Sequence, residues 1–213
     1  MRNDAGEGGG VAQNGPAFLA LGDSYTIGEQ VDVDSRWPVQ LARALRAAGV
    51  PVGEPQIIAQ TGWTTDELGA GIEHAGVQRA YSLVSLLIGV NNQFRGRNAD
   101  EYRAQFRSLL DQAIAFAGGK AMRVIVLSIP DWGVMPFAEG RDRAKIGLEI
   151  DQFNAAARDE STRSGAAWVD ITPTSRATTG GWAASDGLHP SGTQYAAWAV
   201  LAFESAKRAL AVR

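Results

Sequence analysis

Ala17-Phe18-Leu19-Ala20-Leu21-Gly22-Asp23-Ser24 decides the reading of this chain. An unbroken apolar run stops at a glycine and gives way to an acid and a hydroxyl. Runs of this length without alternation fit strands buried on both faces, as in parallel sheets covered by helices. The pattern returns along the chain. Ile57-Ile58-Ala59 is closed by Thr61-Gly62, Leu83 to Val90 is apolar apart from Ser85 and Gly89, Val124-Ile125-Val126-Leu127 precedes Pro130, and Ala167-Trp168-Val169 ends at Asp170.

Helical periods fill the intervals. Tyr102, Phe106, Leu109, Ala113 and Phe116 recur at spacings of three and four, after Asp100-Glu101 and before Gly118-Gly119. Acid in the first turn and glycine past the end are the boundaries of an amphipathic helix. Ile146, Ile150, Phe153 and Ala157 repeat the period, and Leu41, Leu45 and Ala48 mark another helix ending at Gly49. Thr64 with Glu67, and Ser191 with Gln194, have capping-box spacing and start two more. Five strand–helix units predict an α/β domain with an open, doubly wound, five-stranded parallel sheet. With no repeat or linker, residues 16–213 read as one domain behind a flexible, glycine-rich segment over 1–15.

Composition narrows the function. The chain has 213 residues, 45% of them hydrophobic, and a formal net charge of −3. Neither a nucleic-acid footprint nor a polybasic membrane patch is present. No apolar run is long enough to span a bilayer, and the opening residues lack the apolar stretch of a secretion signal, so cytoplasmic is the default placement. The absence of cysteine excludes thiol chemistry, disulfides and a Cys-ligated zinc. With two histidines in all, no catalytic metal cluster is expected and no cofactor is called for. Asp32 and Asp34 lack the remaining spacing of a calcium loop.

In doubly wound sheets, ligands bind beyond the carboxyl ends of the strands. Ser24 follows the first strand, Gly62 the second and Asn91 the third. Asp186-Gly187-Leu188-His189-Pro190 lies after the fifth, ahead of the last helix. A serine hydroxyl needs a positioned base, and an imidazole base needs an acceptor on its other nitrogen. Ser24, His189 and Asp186 supply these types at one edge of the sheet. Singly, each signal has a plainer meaning: Gly-Asp-Ser as a helix cap, Asp-Gly-Leu-His-Pro as a turn, Asn91-Asn92 as an Asx-turn. His74, near the end of a helical stretch, reads as a solvated or capping residue. Convergence on one edge carries the functional reading.

Gly22-Asp23-Ser24, Gly62, Gly89-Val90-Asn91-Asn92 and Asp186-Gly187-Leu188-His189-Pro190 together resemble the GDSL-type, or SGNH, hydrolases. The resemblance runs from residue 22 to 190. It implies a flavodoxin-like, three-layer α/β/α fold and hydrolysis of esters or thioesters. Ser24 would be the nucleophile, His189 the base and Asp186 its orienter. The amides of Ser24 and Gly62 and the side chain of Asn91 would form the oxyanion hole. Tyr25 replaces the leucine of the family name, and Asn92 replaces the usual aspartate that supports the loop. The chain order Ser, Asp, His is also that of α/β-hydrolases, but no Gly-x-Ser-x-Gly elbow occurs.

The expected partner is a small-molecule ester, with oligomeric state left open. Residues 131–140, apolar and glycine-punctuated, are the candidate wall of an acyl pocket. Trp63, Phe94, Trp132, Met135 and Phe137 are the nearest apolar side chains, although ordinary packing explains such rings equally. A shallow pocket of this kind predicts short acyl groups, acetyl to butyryl. A carbohydrate deacetylase, a lysophospholipase or a thioesterase would use the same residues. A non-catalytic binding module is disfavoured by the intact trio, and a nucleotide-binding protein by the lack of a phosphate-cradling glycine loop.

Overall fold

The computed structural model of the chain describes residues 15–78, 80–177 and 181–213. Apart from Gly15, the segment expected to be flexible lies outside the described residues. The strands are β1 (Phe18–Gly22), β2 (Pro55–Ala59), β3 (Leu83–Leu87), β4 (Val124–Leu127) and β5 (Ala167–Val169). All pair in parallel, in the order β2-β1-β3-β4-β5. Every residue of β1, β3 and β4 is buried, which is why these strands read as unbroken apolar runs. Pro55 sits at the first position of an edge strand, where its missing N–H disrupts no ladder.

The helices are α1 (Ser24–Ile27), α2 (Trp37–Ala47), α3 (Thr65–Ala75), α4 (Val90–Phe94), α5 (Ala99–Phe116), α6 (Arg143–Ser164), α7 (Thr172–Arg176) and α8 (Gly192–Leu210). Helix α2 packs on α8, while α5 packs on α3 and α6. Caps fix where the long helices begin. Asn98 accepts from the Glu101 amide at 2.8 Å, Asp142 from Lys145 at 3.0 Å, and Thr64 with Glu67 completes a capping box. His74 lies in the last turn of α3, where an imidazole faces the negative end of the helix.

The apolar run Leu83–Val90 does not remain strand throughout. Pairing stops at Leu87, and Val90 opens α4. Two observations account for the break. The Tyr102 hydroxyl of α5 donates to the Ile88 carbonyl at 3.1 Å, taking an acceptor the ladder would have used. Gly89 has φ of 129°, and a Cβ there would stand 2.5 Å from the Tyr102 ring, so only glycine fits. The turn directs Asn91 and Asn92 across the sheet end toward β2. Because the chain leaves β1 for β2 on one side and reaches β3 on the other, β1 and β3 flank the topological switch point.

Candidate active site

Ser24 is the first residue of α1, directly beyond β1. Asp23 caps that helix, its Oδ1 accepting the Tyr25 amide at 3.0 Å. At the first helical position the Ser24 amide has no acceptor within the helix, which leaves it available to a ligand oxygen. Asp23 is wholly buried, and its Oδ2 has no hydrogen-bond partner among the described residues. Burial pushes its carboxyl up to about 7, against the lowering effect of the Tyr25 amide.

Asp186 and His189 stand on the loop between α7 and α8. The loop is pinned like a small hairpin: Ala184 N donates to the His189 carbonyl and Ser191 N to the Trp182 carbonyl, each at 2.7 Å. Asp186 Oδ1 accepts the amides of Leu188 (2.9 Å) and His189 (3.0 Å). Its Oδ2 lies 2.5 Å from His189 Nδ1. Burial works to raise the Asp186 carboxyl, but the His189 ring and the two amides outweigh it and hold it below the ordinary carboxylate value. An ionised acceptor on Nδ1 keeps the proton there and leaves Nε2 free to accept another. The Tyr25 ring sets an edge against His189, centroids 6.0 Å apart, so the residue after Ser24 packs directly on the imidazole.

The other two candidates are locked to each other. Trp63 N donates to the Gln60 carbonyl at 3.2 Å, closing a turn in which Gly62 takes φ of 87°. A positive φ at that position is glycine's. Asn91 Nδ2 donates to the Trp63 carbonyl at 2.9 Å, using one of its two hydrogens. Buried Asn92 receives the Thr65 amide (3.0 Å) and donates to Thr65 Oγ1 (2.7 Å), so an amide does the loop-supporting work expected of the family's aspartate. Arg95, which the sequence reading passed over, donates to the Gly62 carbonyl at 2.7 Å and to Glu67 at 3.1 Å. Its one signal was its position, four residues after Asn91 and one turn further along. Among the described residues, no three His, Cys, Asp or Glu side chains gather in a way that could hold a metal ion.

The profile of the GDSL-like lipase/acylhydrolase family matches residues 20–197. The chain belongs to that family. It is a carboxylic ester hydrolase of the GDSL, or SGNH, type. Solved structures share its fold at low identity. A lipase/acylhydrolase from Enterococcus faecalis is 20% identical, with a TM-score of 0.67 over 90% of this chain and 95% of that one. A psychrotrophic esterase, EstA, from Pseudoalteromonas sp., in a structure inhibited by monoethylphosphonate, is 17% identical at 0.67, over 92% and 100%. Axe2, an acetylxylan esterase from Geobacillus stearothermophilus, is 18% identical at 0.64, over 95% and 98%. Comparison with curated proteins gave no match.

In this GDSL-like hydrolase, the five apolar side chains named from sequence do not form one wall. Phe94, Trp132 and Phe137 come together, with centroids 5.4 to 6.5 Å apart. Trp63 instead lays its ring on α3 at Gly71. Met135 is buried. The 131–140 segment is tied along its length. Asp131 Oδ2 accepts from Arg176 at 2.9 Å, Trp132 Nε1 donates to Gln93 at 2.8 Å, and Phe137 N donates to the Gly187 carbonyl at 3.0 Å.

Proposed function

We propose that this GDSL-like hydrolase is a serine esterase of short acyl esters, acetyl to butyryl. Ser24 Oγ attacks the ester carbonyl and passes its proton to His189 Nε2. The imidazolium is stabilised by Asp186 and returns the proton to the leaving alcohol. An acyl-Ser24 intermediate remains, and water activated by His189 releases the acid. The developing oxyanion is met by the amides of Ser24 and Gly62 and by the second hydrogen of Asn91 Nδ2.

The observation that carries this reading is the Asp186–His189 pair. Its 2.5 Å contact sits on a loop fixed by four backbone and side-chain bonds, with the Ser24 segment packed against the ring through Tyr25. The short-chain preference rests on the tied 131–140 segment and its closed aromatic cluster, which leave little room for methylenes.

The test is covalent labelling. A phosphonate such as the one that inhibits the Pseudoalteromonas esterase should add one adduct, mapped by peptide mass to Ser24. Ser24→Ala should take up no label and lose several powers of ten in turnover while melting like the parent. A label on another serine, or an active Ser24→Ala, would overturn the assignment.

A further inference from the structure

Exposed Arg141 lies on a seat of three rings. Its Cζ stands 5.5 Å from the Phe94 centroid, 5.5 Å from Trp132 and 4.9 Å from Phe137. Phe94 belongs to the same single-turn helix as Asn91, and the Phe137 amide is bonded to Gly187 between Asp186 and His189. The seat is therefore bracketed by the proposed oxyanion donor and the proposed base. Phe94 and Phe137 remain 48% and 39% exposed, which is unusual for clustered rings.

Guanidinium stacked on aromatic faces is held in plane, and its edge donors stay free for a carboxylate or phosphate. Among the described residues no carboxylate pairs with Arg141. Two acids lining the same cavity have other partners. Glu149 receives Gln93 Nε2 at 2.8 Å and lies 3.8 Å from Lys145, and Asp142 caps α6. Arg141 also lines a cavity of about 280 Å³ running beside Phe94 and Trp132.

We infer that Arg141 on its three-ring seat is an anion-recognition subsite, and that the preferred esters carry a carboxylate or phosphate on the acyl or the alcohol part. This rests on the esterase reading above and narrows its substrate class. A guanidinium gives directional, charge-assisted hydrogen bonds, and a matching anion should raise kcat/KM by about tenfold over a neutral isostere.

The experiment measures kcat/KM for three pairs: 4-acetoxybenzoate against 4-acetoxybenzamide, 4-acetoxyphenyl phosphate against phenyl acetate, and monomethyl succinate against methyl butyrate. The first two place the anion on the alcohol and separate carboxylate from phosphate; the third places it on the acyl group. Each enzyme is read by its anionic-to-neutral ratio, so any general change in turnover cancels. At least one pair should give a ratio near ten in the native protein, falling with added salt. That ratio should collapse toward one in Arg141→Gln, fall partway in Arg141→Lys, and persist in Lys145→Gln. Ratios at or below one for all three pairs, or a ratio that survives Arg141→Gln or vanishes in Lys145→Gln, would overturn the subsite. Absence of hydrolysis of every ester, neutral ones included, would instead overturn the esterase reading.

Discussion

At the scale of single residues, charge placement divides the site into a group held ionised and one resisting ionisation. Asp186 is held below the ordinary carboxylate value by the His189 ring and two amides, so it stays charged across the neutral range. Asp186→Asn should leave the fold intact but lose about three to four powers of ten in kcat, because an amide can hold the imidazole in the wrong tautomer. An active Asp186→Asn would show that His189 needs no orienter. Asn91→Ala should cost roughly a hundred- to a thousand-fold, falling on kcat and not on KM, since the bond strengthens only as the oxyanion forms. Asp23 behaves oppositely to Asp186. Its folded value of about 7 lies above the unfolded one, near 3.9, so between these the unfolded chain has released a proton that the native state keeps. Stability associated with Asp23 is thus greatest below pH 4 and drains away as pH rises to 7, by an amount on the order of 4 kcal/mol. Asp23→Asn keeps the acceptor for the Tyr25 amide and removes the titration. Denaturant melts should show the variant gaining on the native protein from pH 5 to pH 8; a gain independent of pH would mean that Asp23 is solvated in the native state.

At the scale of elements, α4 is the part that assembles the site, and it was only partly legible in sequence. The apolar runs disclosed all five strands, because β1, β3 and β4 are buried throughout and the edge strands β2 and β5 are still partly buried, and periodicity with caps disclosed the long helices. The end of β3 was hidden, because it depends on Tyr102 taking the Ile88 carbonyl from 14 residues further along the chain, a contact that no local pattern encodes. Arg95 carried no motif of its own, and Asp23 stood only within a possible helix cap; their roles come from what the fold sets beside them. The α4 cross-links make distinct predictions. Asn92→Ala leaves the Thr65 amide and hydroxyl short of a partner in a buried site, and should cost about 2 to 3 kcal/mol by thermal melting. Asn92→Asp should retain most of that, since a carboxylate still accepts the Thr65 amide and suits the start of α3. Arg95→Ala removes exposed bonds worth little to folding, so stability should change by less than about 1 kcal/mol. Turnover should still fall several-fold as the Gly62 turn loosens, with KM little altered. An Arg95→Ala enzyme of native turnover would show that the turn holds without the clamp.

For the whole molecule, what matters is that the sheet order opens a crevice at the ends of β1 and β3, and that the described parts of the loops around it are tied by hydrogen bonds. The segment over residues 131–140 could have been a lid. It is instead anchored by Arg176 at its start, by Gly187 at its middle, and by Arg143, which donates to the Val134 and Met135 carbonyls at 3.5 and 3.4 Å. Trp132 adds a bond to Gln93 beneath it. Among the described residues no helix is long and apolar enough to cross a membrane, and the exposed rings Phe94 and Phe137 are covered on one side by a cation. On the proposed reading the braced 131–140 segment floors the acyl pocket, and acyl selectivity becomes a matter of volume. Each methylene buried adds about 0.8 kcal/mol, or roughly fourfold in kcat/KM, until the chain meets the floor; beyond it, further carbons stay in water or force a clash. Across p-nitrophenyl acetate, butyrate, hexanoate, octanoate and dodecanoate, kcat/KM should therefore peak at acetate or butyrate and then drop. Trimming the floor should move the peak: Trp132→Ala should extend the optimum by two or more carbons, because the lost ring volume lies directly under Phe94 and Phe137. A native optimum at octanoate or longer would mean that the braces release when substrate binds, and that the crevice at the switch point continues into a groove beneath the 131–140 segment.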